Sequence, residues 1–77
     1  MYDYSRLLGA MREKAISQEQ LAQKIHINPA TLNAKLQNKS QFKQKEMLDI
    51  MQVLDLPGND IQSYFFARKL AKTQVIK

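Results

Sequence analysis

The sequence predicts an all-α fold of five short helices. Three observations carry that prediction. Apolar residues recur at spacings of three and four along nearly the whole chain, the repeat of a helix with one buried face, and no stretch alternates as a strand would. Helix starts and stops are written into the chain: Ser17-Gln18-Glu19-Gln20 reads as a capping box, Asn28-Pro29 as a cap with a first-turn proline, and Leu56-Pro57-Gly58 as a stop. Glycine and proline are otherwise scarce, two of each in 77 residues, which leaves few points of punctuation.

The first helix is expected from about Tyr4 to Lys14, with Asp3 as its cap and Leu7, Leu8 and Met11 as the buried stripe. In the second, Ser17 and Gln20 satisfy each other's backbone amides, and Leu21, Ala22 and Ile25 form the inner face. The third opens on Asn28, whose side chain accepts from first-turn amides, and Pro29 takes the position where its missing donor costs nothing. Leu32 and Leu36, four apart, orient it inward. A polar loop, Asn38 to Gln41, leads to Phe42, a core anchor.

The fourth helix is expected over about Gln44 to Leu54, with Met47, Leu48, Ile50, Met51 and Leu54 facing in. A fifth, from Asp60 to about Ala71, carries Ile61, Tyr64, Phe65 and Leu70, and residues 72–77 read as a frayed tail. Three consecutive helical residues cannot share one side, so packing absorbs only one or two of Tyr64, Phe65 and Phe66. A ring left outside would be a docking or dimerisation point.

Seventy-seven residues predict one domain, 1–77, burying only about 60% of its unfolded surface. Cysteine is absent, which excludes disulfides and thiolate metal sites and fits a reducing compartment. No apolar run approaches the roughly 20 residues of a membrane span, and Met1 is not followed by a basic-then-apolar signal. A cytoplasmic protein with no membrane partner is the expectation. Catalysis is not indicated, since the seven carboxylates are scattered and no nucleophile faces a base. His26, the single histidine, has no companion ligands, so neither a metal nor another cofactor is expected. The net charge of +5 suits an anionic partner.

The two capped helices of residues 17–37 are separated by only His26-Ile27-Asn28. So short a connection forces a sharp bend and turns the second helix outward, the arrangement of a helix-turn-helix. Ala22 lies where the helices cross, and Ile25, Ile27 and Leu32 seal the corner. The run from Ser17 to Leu32, continued by Lys35-Leu36-Gln37-Asn38-Lys39 and Phe42, resembles the helix-turn-helix of the phage Cro and repressor (XRE-like) families. With Tyr2-Asp3-Tyr4-Ser5-Arg6-Leu7-Leu8-Gly9 and Tyr64-Phe65-Phe66, the chain is most similar to small Cro-like proteins, among them the antirepressors called modulators of repression.

The resemblance implies a five-helix, lambda-repressor-like DNA-binding domain. It places Gln18, Lys35, Lys39 and Lys43 at phosphate-contacting positions, and Asn28, Pro29, Ala30, Asn33 and Ala34 where relatives touch base edges, with Thr31 and Gln37 beside them. The chain departs from the pattern at the turn, where His26 stands in place of the usual glycine; histidine is among the residues that tolerate a left-handed backbone. Lys43 stands where a hydroxyl, Asn or Asp would cap better, although Glu46 suits the first turn that follows.

Base readout needs side chains that hydrogen-bond, and Pro29, Ala30 and Ala34 do not, leaving Asn33 as the main reader. Two functions stay open. One is a Cro-like repressor that binds double-stranded operator DNA without a protein partner. The other is an antirepressor of a phage genetic switch, whose small apolar helix surface covers the DNA-binding domain of a partner repressor. A homodimer through the fifth helix is the weaker third reading.

Overall fold

The computed structural model describes residues 1–68, and these form five α-helices with one isolated antiparallel bridge, Tyr2 to Arg68. The helices are α1 (Ser5–Glu13), α2 (Gln18–Lys24), α3 (Pro29–Leu36), α4 (Gln44–Val53) and α5 (Ile61–Phe65), the last entered through a 3₁₀ turn at Gly58–Asp60. The expected all-α, five-helix class is what the described residues adopt. Among the described residues no helix is long and apolar enough to cross a membrane.

Local chemistry explains where the helices begin. The Ser17 hydroxyl accepts from the Gln20 amide at 3.1 Å while Gln20 Oε1 accepts from the Ser17 amide at 2.9 Å, the expected reciprocal box. Asn28 Oδ1 accepts from the Ala30 amide at 2.8 Å, and Pro29 is the first residue of α3. Asp3 serves α1 from one residue further out than expected: Tyr4 holds the cap position, and Asp3 Oδ1 accepts from the Ser5 amide at 2.9 Å.

The helix ends share one device. Ala15, His26, Asn38 and Asp55, one residue beyond the C-caps of α1 to α4, all have φ between 55° and 66°. At each, the following amide reaches back five residues, as in Ile16 to Met11, Ile27 to Ala22, Lys39 to Ala34 and Leu56 to Met51. Such closures satisfy carbonyls the helix leaves open, and they normally use glycine. This chain makes all four without one. Alanine tolerates the left-handed region worst of the four, since it lacks the local hydrogen bonding of Asn or Asp. Exposed Ala15→Gly is therefore expected to stabilise the fold by about 0.5–1 kcal/mol, the strain relief exceeding the entropy that glycine adds to the unfolded chain. Urea unfolding would measure it, and a loss of stability would contradict the strain.

The core lies among all five helices. Leu7, Leu21, Leu32, Ile50, Leu54 and Phe65 are fully buried, joined by Tyr4, Ala10, Met11, Ala22, Ile25 and Met51. Phe42 packs against this cluster, as an anchor should. Leu48 corrects the expectation for α4. It is 50% exposed, because the buried stripe runs through residues 47, 50, 51 and 54 and leaves 48 about 100° to one side.

The fifth helix is also shorter than expected. It stops at Phe65, after which Ala67 O accepts from the Asp3 amide at 2.7 Å and Arg68 pairs with Tyr2. At residues 67 and 68 an extended pairing with the N-terminal segment stands in place of helix. The expected inward Leu70, the helix end near Ala71 and the frayed tail at 72–77 lie outside the described residues.

Candidate functional site

Residues 17–37 form two separate helices joined by a tight turn, and the backbone shows how a non-glycine turn holds. His26 takes φ 63°, its amide donates to Gln23 O at 3.2 Å, and the Ile27 amide donates to Ala22 O at 3.0 Å. The imidazole is exposed, so the ring costs no packing. Ala22 is completely buried between the helices and Ile25 nearly so, while Ile27 packs partly buried at the edge of the core. The buried corner leaves the opposite side of α3 outward.

That side carries most of the expected contact residues. Asn28, Pro29, Ala30, Thr31, Asn33 and Gln37 are exposed, whereas Ala34 is half-buried and offers less apolar surface than its position suggested. Gln18, half-buried at the start of α2, is tied to this face: Asn33 Nδ2 donates to its Oε1 at 3.1 Å. Gln37 Nε2 in turn donates to Asn33 Oδ1 at 2.7 Å. Three residues expected in two different roles thus form one amide ladder across α2 and α3.

The lysines divide. Lys39, just beyond α3, and Lys43, at the cap of α4, are exposed. Lys35 is not available to a phosphate. It is 5% exposed and its ammonium is hydrogen-bonded and ion-paired to Glu46 Oε1. The reason is periodicity: Lys35 shares the inner stripe of α3 with Leu32 and Leu36, so its aliphatic stem is buried and its head meets α4. Lys45, by contrast, is 85% exposed and pairs with Asp49 one turn on.

Glu46 joins two tasks, because the same oxygen accepts from the Lys43 amide at 2.9 Å. A lysine side chain has no acceptor, so α4 receives half of a capping box. Burial alone would push the Glu46 carboxyl up, but the hydrogen bonds from Lys35 and from the Lys43 backbone, with both positive charges, outweigh it and hold the group below its ordinary value. The pair is a structural tie between α3 and α4.

A second feature, not anticipated from the sequence, fixes the loop after α3. Asn38 accepts from the Tyr2 amide at 2.9 Å and donates to the Tyr2 carbonyl at 3.0 Å, which clasps the N-terminal segment. Tyr2, Tyr4, Phe42, Phe65 and Phe66 then form a continuous cluster of edge-on and tilted rings with centroids 5.1–6.5 Å apart. They border a cleft of about 450 Å³. Of the three consecutive aromatics, Phe65 is buried, Tyr64 half-buried beneath Arg6, and Phe66 43% exposed. Patterning along the chain could not bring these rings together, since four of the five ring pairs join residues more than 20 positions apart.

Among the described residues there is no group of three or more His, Cys, Asp or Glu side chains placed to hold a metal ion. The site's chemistry is that of hydrogen bonding, positive charge and a small apolar surface, all suited to contacting a macromolecule. No curated protein matches the chain. The model of the family described as "Protein of unknown function (DUF739)" matches residues 1–68, and the chain belongs to that family.

Proposed function

We propose that this protein is a non-enzymatic regulator of a phage genetic switch, acting in the bacterial cytoplasm through a helix-turn-helix formed by α2 and α3. The observation that carries the reading is the outward side of α3: five side chains from Asn28 to Asn33 are exposed, next in sequence to the exposed Lys39 and Lys43. In this reading α3 enters the major groove of operator DNA, Asn33 meets a base edge, and Gln18, Lys39 and Lys43 meet phosphates. The same face serves the second activity, antirepression by covering the DNA-binding domain of a partner repressor. Exposed Pro29 and Ala30, which bring no hydrogen-bonding side chain, favour it, and removal of Lys35 from the phosphate set weakens the purely electrostatic case. Sharing one face makes the two partners mutually exclusive.

A mixed titration of operator DNA, the neighbouring repressor and this protein tests the proposal. Either the chain joins the DNA or it strips the repressor from it. If it joins, affinity falls steeply with salt, and Lys39→Ala weakens all sequences alike and lowers the salt slope by about one. If it strips, Ala30→Glu abolishes capture of the repressor. Salt-independent DNA binding, or repressor capture indifferent to Ala30→Glu, would remove the corresponding arm.

A further inference from the structure

Asn33 spends one donor and one acceptor within the ladder, donating to Gln18 and accepting from Gln37. A primary amide has two N–H donors and an oxygen with two lone pairs, so this exposed side chain keeps one N–H and one lone pair. The count does not depend on ladder polarity. With all three amides turned over, Asn33 would accept from Gln18 and donate to Gln37, and the same remainder would be left.

That remainder is selective. In the major groove adenine presents an acceptor, N7, beside a donor, the N6 amino group. Guanine presents two acceptors, thymine an acceptor and a methyl group, and cytosine a donor. A single N–H paired with a single lone pair matches adenine. An isolated asparagine amide rotates broadly about its last torsion. The flanking glutamines remove that freedom before any ligand arrives, which lowers the ordering cost of binding.

We infer that Asn33 selects adenine at the base pair it faces, and that Gln18 and Gln37 are positioning residues that hold its amide edge. The inference rests on the DNA-binding reading above and adds the base to it. Pro29 and Ala30 have no hydrogen-bonding side-chain group, so discrimination falls mainly on this one amide.

The test is selection of bound duplexes from a random double-stranded DNA library by the full chain, repeated with three exposed-site variants whose helicity is checked by circular dichroism. The wild type should enrich an adenine at one fixed position in each site, preferred by about 5- to 150-fold over the other bases. Asn33→Asp replaces the donor by an acceptor and should shift the preference at that position toward cytosine, whose amino group donates. Asn33→Ala should erase the preference. Gln37→Ala should shrink the adenine preference while leaving the salt dependence of binding unchanged, which a general loss of structure would not do. Enriched duplexes without a common adenine, or an adenine preference that survives Asn33→Ala, would overturn the inference and leave the DNA-binding reading standing. No duplex enriched under any low-salt condition would overturn both.

Discussion

Phe65→Ala is expected to cost about 3–5 kcal/mol of folding stability, the range for deleting a fully buried aromatic ring. The side chain is only 2% exposed and meets Phe42 at 5.1 Å and Tyr4 at 6.5 Å, both in edge-to-face geometry. Such ring pairs add about 0.5–1.5 kcal/mol each beyond area burial. α5 is only five residues long and cannot hold itself by backbone bonds, so Phe65, its buried residue, is its main attachment to the core, with Ile61 and Tyr64 packed half-buried beside it. Native domains are stable by only about 5–15 kcal/mol in total, and one this small belongs toward the lower end. The variant should therefore sit near its unfolding midpoint at modest urea concentrations. Phe65→Leu, which keeps most of the volume, should lose far less. A loss below about 1 kcal/mol for Phe65→Ala would show that the ring cluster contributes little.

Glu46→Ala ranks next, at about 3 kcal/mol. Breaking a buried ion pair by removing one partner costs about 3–5 kcal/mol because the other charge is left uncompensated. The lower end applies here, since a lysine stem is flexible enough to swing its head toward water. The variant also strips α4 of the acceptor for the Lys43 amide. Replacing both partners by apolar residues, Lys35→Met with Glu46→Leu, should recover part of the loss, as buried pairs are often no better than apolar packing.

Acid should probe the same tie. Glu46 binds its proton less readily in the folded chain than unfolded, where the ordinary value is 4.5. Its contribution is therefore complete above that value and is lost as pH falls through the lower, folded one. Stability measured downward from pH 6 should decline below about pH 5, and Glu46→Gln should flatten that decline. An unchanged acid slope in Glu46→Gln would mean that other carboxylates set it.

How legible the molecule was in its sequence differs from residue to residue. The starts of α2 and α3 were readable because caps are local: Ser17 with Gln20, and Asn28 with Pro29, complete their hydrogen bonding within three residues. The His26 turn was readable for the same reason, an αL residue closing the helix five residues behind it. Lys35 was misjudged although its spacing from Leu32 and Leu36 placed it on the inner stripe; charge suggested surface where periodicity pointed inward. Leu48 failed in the opposite sense, hydrophobic but off the stripe. Membership of a family of unknown function adds no residue role.

By itself the sequence determined the helical class, the caps of α2 and α3 and the His26 turn, because each depends on interactions spanning at most a few residues. Only the tertiary structure decided that Lys35 is turned to Glu46, that Asn38 clasps Tyr2 36 positions away, and that Gln18 of α2 stands opposite Asn33. Those partners come together when separate segments pack, and periodicity along one helix carries no information about which side chain of another segment will stand opposite.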